Sequence, residues 1–352
     1  MSDIQQELLG QVVAAQKNNE PLALLGSGSK RFLLPSECDS GQTVDLTRHH
    51  GVVSYEPTEL VITARGGTPL AEINELLNEH NQMLPFDPPM FDGKGTVAGA
   101  VAMGLAGPGR PWRGAPRDAI LGIKLLDGEG RIVEFGGQVM KNVAGYDITR
   151  LMCGAMGTLG VLLEVSIRLI PKARVERTLR TGMGYDESRQ LMNSMRSQSV
   201  PLTGAFWYKD QLHLRLSAAS ETALNKLQQQ RVGGEWLADN RVWQQLRDQQ
   251  HEFFTPADSQ SLWRISTPPA AEVPQQEQHL LDWGGAQHWI IAQGDWREPL
   301  NAIASAARGH AQPWFSTPKI ASTGNEVIKQ LQVNLEEVFN RNRIFNPGCC
   351  NG

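Results

Sequence analysis

Cysteine is scarce in this sequence, and none of it is spaced as in a metal or cluster site. The 352 residues include four cysteines, Cys38, Cys153, Cys349 and Cys350. No two of them form a C-x-x-C motif, which argues against an iron–sulfur cluster or a zinc site in this chain. We therefore predict no metal site. We interpret the neighbouring pair near the C-terminus as incidental rather than redox-active, and a reducing cytoplasm fits this cysteine content.

The chain also lacks an excess of positive charge and a long apolar run. Lys and Arg number 33 against 37 Asp and Glu, a net charge of −4, so no long-range attraction to nucleic acid or to an anionic membrane is expected. The least polar stretch, near 97–107, is too short and too rich in glycine to span a bilayer. Met1-Ser2-Asp3-Ile4 has no basic or apolar signal region. We expect a cytoplasmic protein without direct membrane insertion.

Two familiar nucleotide-binding motifs are missing as well. A short apolar strand at 21–25 runs into Gly26-Ser27-Gly28-Ser29-Lys30. A Rossmann G-x-G-x-x-G motif requires glycine where Arg31 stands, and a Walker A loop requires G-K-S or G-K-T, which this loop does not supply. Small residues after a strand nevertheless leave backbone N–H groups free to converge on an anion, and Lys30 adds a charged donor. The loop 26–30 is thus either a phosphate loop of another kind or a simple turn.

Glycine, by contrast, is abundant in one region of the chain. Residues 85–160 hold 16 of the 35 glycines. Glycine costs conformational entropy on folding, so this clustering favours backbone that takes positive φ or lies against a large flat ligand. Two stretches stand out: 95–107, which mixes small residues with glycine and carries no charge, and 141–151. A tightly packed loop without a ligand is the alternative.

The predicted elements and the composition both change near residue 172. Before it, apolar periodicity predicts helices at 4–17 and 69–77 and strands at 21–25, 43–46, 51–55, 60–65, 119–126, 131–135 and 161–170. After it come eight of the nine tryptophans, most of which we expect in a core. The elements predicted there are a strand before the first helix, helices at 185–197, 221–231, 241–250 and 277–292, two strands within 202–217 and one strand at 261–266. A last helix is predicted at 325–342. We assign domains to 1–172, 173–322 and 323–352.

The central region resembles the FAD-binding domain of the vanillyl-alcohol oxidase family, also called the PCMH type. Gly26-Ser27-Gly28-Ser29 is similar to the pyrophosphate loop that follows the first strand of that family. The segment 97–107 is similar to its I-G-G-x-x-A-x-x-x-G-G stretch. The turn 114–118 is similar to its Y-G-x-x-R-D turn, with Arg113 in the place of the aromatic residue. Several ordered motifs together make the resemblance more specific than any one of them.

Three further segments carry the same resemblance, and the chain is most similar to the FAD-binding subunits of bacterial glycolate oxidases. The segments 142–148, 154–161 and 345–348 resemble N-x-x-G-Y-D-L, G-S-E-G-T-L-G-I and the N-P-G ending of the family. The short length and the run 105–112 are closest to those subunits. The resemblance implies an α+β fold: a two-subdomain PCMH-type FAD-binding domain, an α+β cap domain with an antiparallel sheet, and a C-terminal helix and tail that return to the FAD domain.

FAD is the cofactor that the resemblance implies, and we expect it to be bound non-covalently. The loop 26–30 contains no histidine, so a histidyl link from that loop is not available. Smooth, side-chain-poor walls suit an isoalloxazine ring, and 95–107 and 154–161 provide them. The residues implied to bind FAD are Gly26, Ser27, Gly28, Ser29, Lys30, Gly95, Thr96, Gly99, Gly107, Arg117, Asp147, Gly157, Gly160, Val161 and Asn346.

The histidines depart from the family pattern. Relatives that oxidise D-2-hydroxy acids carry an H-x-x-x-N-x-H cluster near the C-terminus, where histidine holds a metal or takes the hydroxyl proton. None of the eight histidines here has that spacing. His310 is the nearest candidate for a catalytic base by position, and a purely structural histidine is the alternative.

Two main hypotheses of function follow from the resemblance. In the first, the chain is the FAD-binding subunit of a glycolate (D-2-hydroxy acid) oxidase or dehydrogenase complex, and it passes electrons from flavin to partner subunits. The implied substrate is a small 2-hydroxy acid such as glycolate, and the implied partners are a larger flavin subunit and an iron–sulfur subunit. In the second, the chain is a non-catalytic scaffold of the same fold that docks those subunits. A stand-alone alcohol or sugar oxidase is a third and weaker alternative.

Overall fold

The chain forms two compact units, and each unit has its own β-sheets. The computed structural model describes residues 3–137, 148–198, 200–314 and 326–349. Unit 1 consists of 1–106, 115–171 and 320–352, and unit 2 of 107–114 and 172–319. The segment 107–114 packs within unit 2. The domain boundaries predicted from the sequence instead place it in the first domain, 1–172.

The helices in chain order are α1 Gln5–Asn18, α2 Leu70–Glu79, α3 Val97–Met103, α4 Arg110–Arg113, α5 Pro116–Ala119, α6 Ile148–Leu151, α7 Tyr185–Ser197, α8 Glu221–Arg231, α9 Arg241–Arg247, α10 Arg297–Ala306 and α11 Glu326–Phe339. The predicted helices at 4–17, 69–77, 185–197, 221–231 and 325–342 are confirmed to within a few residues, and the one at 241–250 is shorter than predicted. Across the described residues, no helix combines the length and apolar character that a membrane crossing requires.

The strands in chain order are β1 Leu22–Leu25, β2 Gln42–Asp45, β3 Val52–Glu56, β4 Val61–Arg65, β5 Gln82–Met83, β6 Ile120–Leu126, β7 Ile132–Gly136, β8 Val161–Arg168, β9 Ile170–Pro171, β10 Val175–Gly182, β11 Leu202–Tyr208, β12 Gln211–Ala218, β13 Glu235–Trp236, β14 Gln260–Ser266, β15 His279–Asp282, β16 Gln287–Gln293 and β17 His310–Pro313. Every strand predicted from the sequence is present. Four short ones (β5, β9, β13 and β17) and the strands of one hairpin described below were not predicted.

Unit 1 is built on a five-stranded antiparallel sheet in the order β3-β4-β8-β6-β7. Strands β4 and β8 are buried along most of their length, at successive positions rather than at alternate ones. This burial on both faces explains why β8 begins with apolar residues at three successive positions, 161–163. Helices α2 and α3 contribute Leu70, Ile73 and Val101 to the same core.

A smaller sheet in unit 1 joins the N-terminal strand to the C-terminal tail. Strand β1 pairs in parallel with β2, and α1 packs Leu8 and Val12 into the core beneath them. The Leu22 N–H donates to the carbonyl of Ile344 (2.6 Å), and the Asn346 N–H donates to the carbonyl of Leu22 (2.9 Å). The end of β1 and the tail are therefore held together by backbone hydrogen bonds.

A disulfide fastens the same tail at a second point. Cys38, in the 3-10 turn Ser36–Asp39, is bonded to Cys349, and both residues are fully buried. The interpretation of Cys349 as an incidental member of a C-terminal pair is therefore wrong. Its partner lies 311 residues earlier in the sequence, and spacing along the chain cannot reveal a pairing made by the fold.

Unit 2 is built on an eight-stranded antiparallel sheet in the order β13-β10-β12-β11-β15-β16-β14-β17. The expected antiparallel α+β unit is present. Most of the tryptophans beyond residue 172 belong to the core, as expected; the buried ones are Trp207, Trp243, Trp263, Trp289 and Trp314.

The prediction of a helix at 277–292 is wrong, because this segment is a β-hairpin. Strands β15 and β16 pair in antiparallel register, with Asp282 opposite Gln287. Gly284 and Gly285 lie in the turn between them, with φ of +62° and +101°. Both strands are buried at successive positions, so the apolar residues show no alternation. The glycine pair was the local signal of a turn.

Specific contacts explain why 107–114 packs within unit 2. The Arg113 guanidinium forms an ion pair with Glu176 of β10. The Trp283 indole N–H donates to the carbonyl of Gly107 at 3.1 Å. Arg110 places its guanidinium 4.6 Å from the centre of the Trp283 ring. The sequence offered no sign of these contacts, since their partners lie more than sixty residues away.

Candidate cofactor site

The loop 26–30 forms one wall of a cavity in unit 1. The positive φ of Gly28 (+73°) and a hydrogen bond from the Arg31 N–H to the Gly28 carbonyl (2.9 Å) turn the chain as it leaves β1. Lys30 is buried, and its Nζ lies 5.7 Å from the centre of the Phe91 ring. Arg31 forms an ion pair with Asp39, and burial lowers the pKa of its guanidinium. Two cationic side chains therefore follow the loop at this end of the cavity.

Thr96 joins this loop to the glycine-rich helix α3. Its Oγ1 accepts a hydrogen bond from the Gly99 N–H at 3.3 Å and so caps the helix. A Cβ atom at Gly26 would lie 2.7 Å from the same Oγ1, closer than side chains tolerate. Glycine at 26 is thus required for the loop to approach the start of α3.

Asn346 fixes a third segment of the wall from the C-terminal tail. Its Oδ1 accepts from the Leu24 N–H at 2.7 Å, and its Nδ2 donates to the Met156 carbonyl at 2.8 Å. Gly157, which follows, has φ of +76°, and a Cβ there would lie 2.7 Å from Asn346 Nδ2. The amide is 3% exposed. One buried side chain therefore ties together β1, the 154–160 turn and the tail.

These segments enclose a cavity of about 850 Å³, part of it open to solvent. Its lining is mostly apolar or backbone, with small residues from α3 and methionines from three segments. Eleven of the fifteen sequence-predicted cofactor residues line it: Gly26, Ser27, Gly28, Ser29, Lys30, Thr96, Gly99, Gly157, Gly160, Val161 and Asn346. Segments distant in the sequence thus meet around one space.

The other four predicted cofactor residues lie elsewhere. Gly95 does not line the cavity but adjoins it, since a Cβ there would lie 3.3 Å from Lys30 Nζ. Gly107 belongs to unit 2. Arg117 is exposed on α5. Asp147 lies outside the described residues.

His310, the candidate base, is in unit 2 at the first position of β17, opposite Ser266 of β14. It is exposed as a residue, although partial burial of its ring and the nearby Arg264 guanidinium lower the pKa of its imidazole.

Several cavity residues were not predicted from the sequence. Met103, Met152 and Met156 line the cavity, together with Leu34, Leu46 and Ala155. Methionine is flexible and fills irregular space, so it carries no motif of its own. Met103 lies in the predicted wall segment 95–107, and Ala155 and Met156 lie in 154–161, so these three had a signal in the sequence.

Comparison with known proteins identifies the family. The model of the family described as "FAD binding domain" matches residues 5–136. The chain is 39% identical over 349 residues to the glycolate oxidase subunit GlcE of Escherichia coli, which covers 98% of this chain and 97% of that protein. This chain belongs to the PCMH-type FAD-binding family that includes GlcE.

Two more distant similarities are consistent with membership of this family. The glycolate oxidase subunit GlcD of Bacillus subtilis is 29% identical over 161 residues, which is 45% of this chain and 34% of that protein. The solved structure of an alkyldihydroxyacetonephosphate synthase superposes with a TM-score of 0.70 at 13% identity and covers 99% of this chain and 76% of that one. At that identity the likeness shows the fold alone. The α+β PCMH-type fold expected from the sequence is thereby confirmed, and the family is one of FAD-dependent oxidoreductases.

The cavity residues fit the cofactor of the PCMH-type family. Two glycines stand where a Cβ would collide with Thr96 or Asn346, which keeps the walls free of side chains. Lys30 supplies positive charge next to a loop of small residues, which suits a pyrophosphate.

Proposed function

We propose that this chain binds FAD non-covalently in the unit 1 cavity and serves as the FAD-binding subunit of a complex that oxidises glycolate or a similar D-2-hydroxy acid. The observation that carries the proposal is the convergence of Gly26–Lys30, Thr96, Gly157 and Asn346 on one cavity. Bound FAD supplies a two-electron acceptor for the oxidation of a C–H bond next to a hydroxyl.

Each group of residues has a part in holding the cofactor. Backbone N–H groups of the loop 26–29, with the Lys30 ammonium, bind the pyrophosphate. The side-chain-poor face of α3 and the turn 157–161 form the walls for the flat ring. Asn346, held by Leu24 and Met156, keeps the tail against the site and closes it to water.

The proposed partners are a larger flavin subunit and an iron–sulfur subunit, and electrons pass from the flavin to them. Support comes from two relatives, GlcE and GlcD, which are both subunits of glycolate oxidase. The proposed place is the cytoplasm, with any contact to a membrane made by partners.

An absorption spectrum of the purified chain tests the cofactor claim. We expect flavin bands near the usual visible maxima, and we expect trichloroacetic acid to release the flavin into the supernatant. A correctly folded but colourless chain contradicts FAD binding. Flavin that stays with the precipitate contradicts the non-covalent mode.

Anaerobic addition of glycolate then separates this proposal from a second candidate function, a flavin-fold scaffold that docks the catalytic subunits. The absence of the H-x-x-x-N-x-H spacing from all eight histidines favours the scaffold for the chemical step. Bands that bleach with the chain alone contradict the scaffold. Bands that bleach only after a partner flavoprotein is added place the C–H chemistry on the partner.

A further inference from the structure

Arg264 of β14 is a desolvated cation in unit 2 without a carboxylate partner among the described residues. Its Nε is shielded from solvent and makes no hydrogen bond, although the residue as a whole keeps some exposure. One amino group donates to the Gln312 amide oxygen at 2.9 Å. The guanidinium lies 4.5 Å from the centre of the Trp314 ring. The group is therefore fixed in orientation, while its charge is not neutralised.

Neighbouring charges increase this imbalance. Burial, and to a smaller extent the nearby Arg110 guanidinium, lower the pKa of Arg264 to about 10. Other shielded arginines of unit 2 are paired with acids: Arg113 and Arg215 with Glu176, and Arg247 with Asp248. Among the described residues of unit 2, Arg264 differs from these arginines in having no acidic partner.

A desolvated charge without a partner destabilises a fold, because lost hydration is not replaced. The planar fork of arginine matches a carboxylate with two parallel hydrogen bonds, and stacking on an aromatic ring fixes that fork in advance. An uncompensated guanidinium held in this way indicates that a ligand supplies the negative charge.

We propose that Arg264 is the carboxylate-binding residue of a small-molecule site in unit 2 and that its ligand is a short 2-hydroxy acid. The choice of a 2-hydroxy acid rests on the proposed function, whereas the need for an anion rests on unit 2 alone. A small ligand is favoured over an acidic side chain of another protein because Nε is shielded and Trp314, which covers the group, is 4% exposed.

The strand register supports a site of this size. Arg264 lies opposite Gln312, and Ser266 lies opposite His310. Residues two apart share a face of a strand and are about 7 Å apart, so His310 and Gln312 are on one face of β17. An acid whose carboxylate is bound by Arg264 extends its hydroxyl carbon along this face, toward the position of His310.

Isothermal titration calorimetry with the full chain tests the proposal. The ligands are glycolate, oxalate, which has no C–H bond to oxidise, and glycolamide, which is uncharged. We expect glycolate and oxalate to bind and glycolamide not to bind. Arg264→Gln should weaken the binding of both acids about 10- to 100-fold, since a charged pair of hydrogen bonds is lost. Arg264→Lys keeps the charge but not the fork and should bind with intermediate affinity.

The matched control is Arg177→Gln. Arg177 also stacks on a tryptophan, Trp236 at 5.0 Å, but is ion-paired with Glu221, so its loss should leave acid binding unchanged. A second readout is urea unfolding without ligand. Because Arg264→Gln removes an uncompensated cation, it should unfold at the same urea concentration as wild type or a higher one. A purely structural role predicts a lower concentration.

Several outcomes overturn the proposal. Equal acid binding by wild type and Arg264→Gln does so, and so does the absence of binding by wild type. If wild type binds no small acid, yet Arg264→Gln fails to capture a co-expressed partner subunit, the carboxylate belongs to that partner. Flavin absorption of the same samples separates the two proposals: normal bands without acid binding refute only the role of Arg264, and acid binding by a flavin-free chain refutes only the proposed function.

Discussion

Replacing Asn346 by alanine is expected to destabilise unit 1 and to weaken cofactor binding. The side chain is buried and makes two hydrogen bonds, one from the Leu24 N–H at 2.7 Å and one to the Met156 carbonyl at 2.8 Å. Alanine leaves both backbone groups buried without a partner. Each such group costs about 1–3 kcal/mol, so we expect the free energy of unfolding to fall by about 2–5 kcal/mol.

The same tail offers a matched control. Asn342 is exposed and makes one long hydrogen bond, from its Nδ2 to the Gln16 carbonyl at 3.4 Å. Its replacement by alanine should change the free energy of unfolding by no more than about 0.5 kcal/mol. The assay is urea unfolding of both variants and wild type, followed by tryptophan fluorescence and far-ultraviolet circular dichroism, with and without added FAD.

The two variants together decide whether Asn346 holds the cavity wall. We expect added FAD to raise the urea midpoint of wild type and of Asn342→Ala, but to raise that of Asn346→Ala by less. If Asn346→Ala unfolds like Asn342→Ala and gains as much from FAD, the buried amide does not support the wall, and the description of the site through this residue is wrong.

Three further predictions follow from single residues. Gly157→Ala should lose bound flavin absorption and about 1–3 kcal/mol of stability, because φ is +76° and the new Cβ meets Asn346; retained flavin refutes this. Burial lowers the pKa of His213 to about 4 and of His288 to about 3; the unfolded chain therefore takes up protons first, so stability should be full above pH 6.5 and fall by about 2 kcal/mol per histidine at pH 5. An unchanged urea midpoint at pH 5 contradicts it. Cys38→Ser should cost about 2–4 kcal/mol under oxidising conditions and much less in dithiothreitol, as measured by paired urea titrations.

How far the sequence predicts the fold depends on what surrounds each strand. The strand predicted at 161–170 is confirmed as β8 to within two residues, and its apolar residues alternate with polar ones from Leu163 to Arg168. The segment 277–292, which is predicted as a helix, instead contains two buried strands whose apolar residues show no alternation. Without alternation, periodicity does not distinguish a buried strand from a buried helix. The signal available there was Gly284-Gly285, a turn signal in mid-segment.

The candidate cofactor site was predictable for a related reason. Its walls are backbone, and backbone that must approach a ligand or take positive φ requires glycine, which is visible in the sequence. Residues such as Leu34 and Met152 contribute only volume to the cavity. Many apolar residues could do the same, so no pattern marks them. The disulfide between Cys38 and Cys349 was missed because its pairing exists only after the tail has returned to β1.

Arg264 belongs to a third class, in which the signal is the lack of an acidic partner among the described residues. Nothing in the sequence distinguishes it from Arg113 or Arg215, which are the same residue type in the same unit but form ion pairs with Glu176. Only the folded chain shows that its fork is oriented by Trp314 and Gln312 and that no described carboxylate pairs with it. The histidines of this chain do not have the spacing that a motif for substrate chemistry requires. The ion pairs of unit 2 indicate Arg264 instead, because a carboxylate ligand must be bound by a fixed cation before a base can act on it.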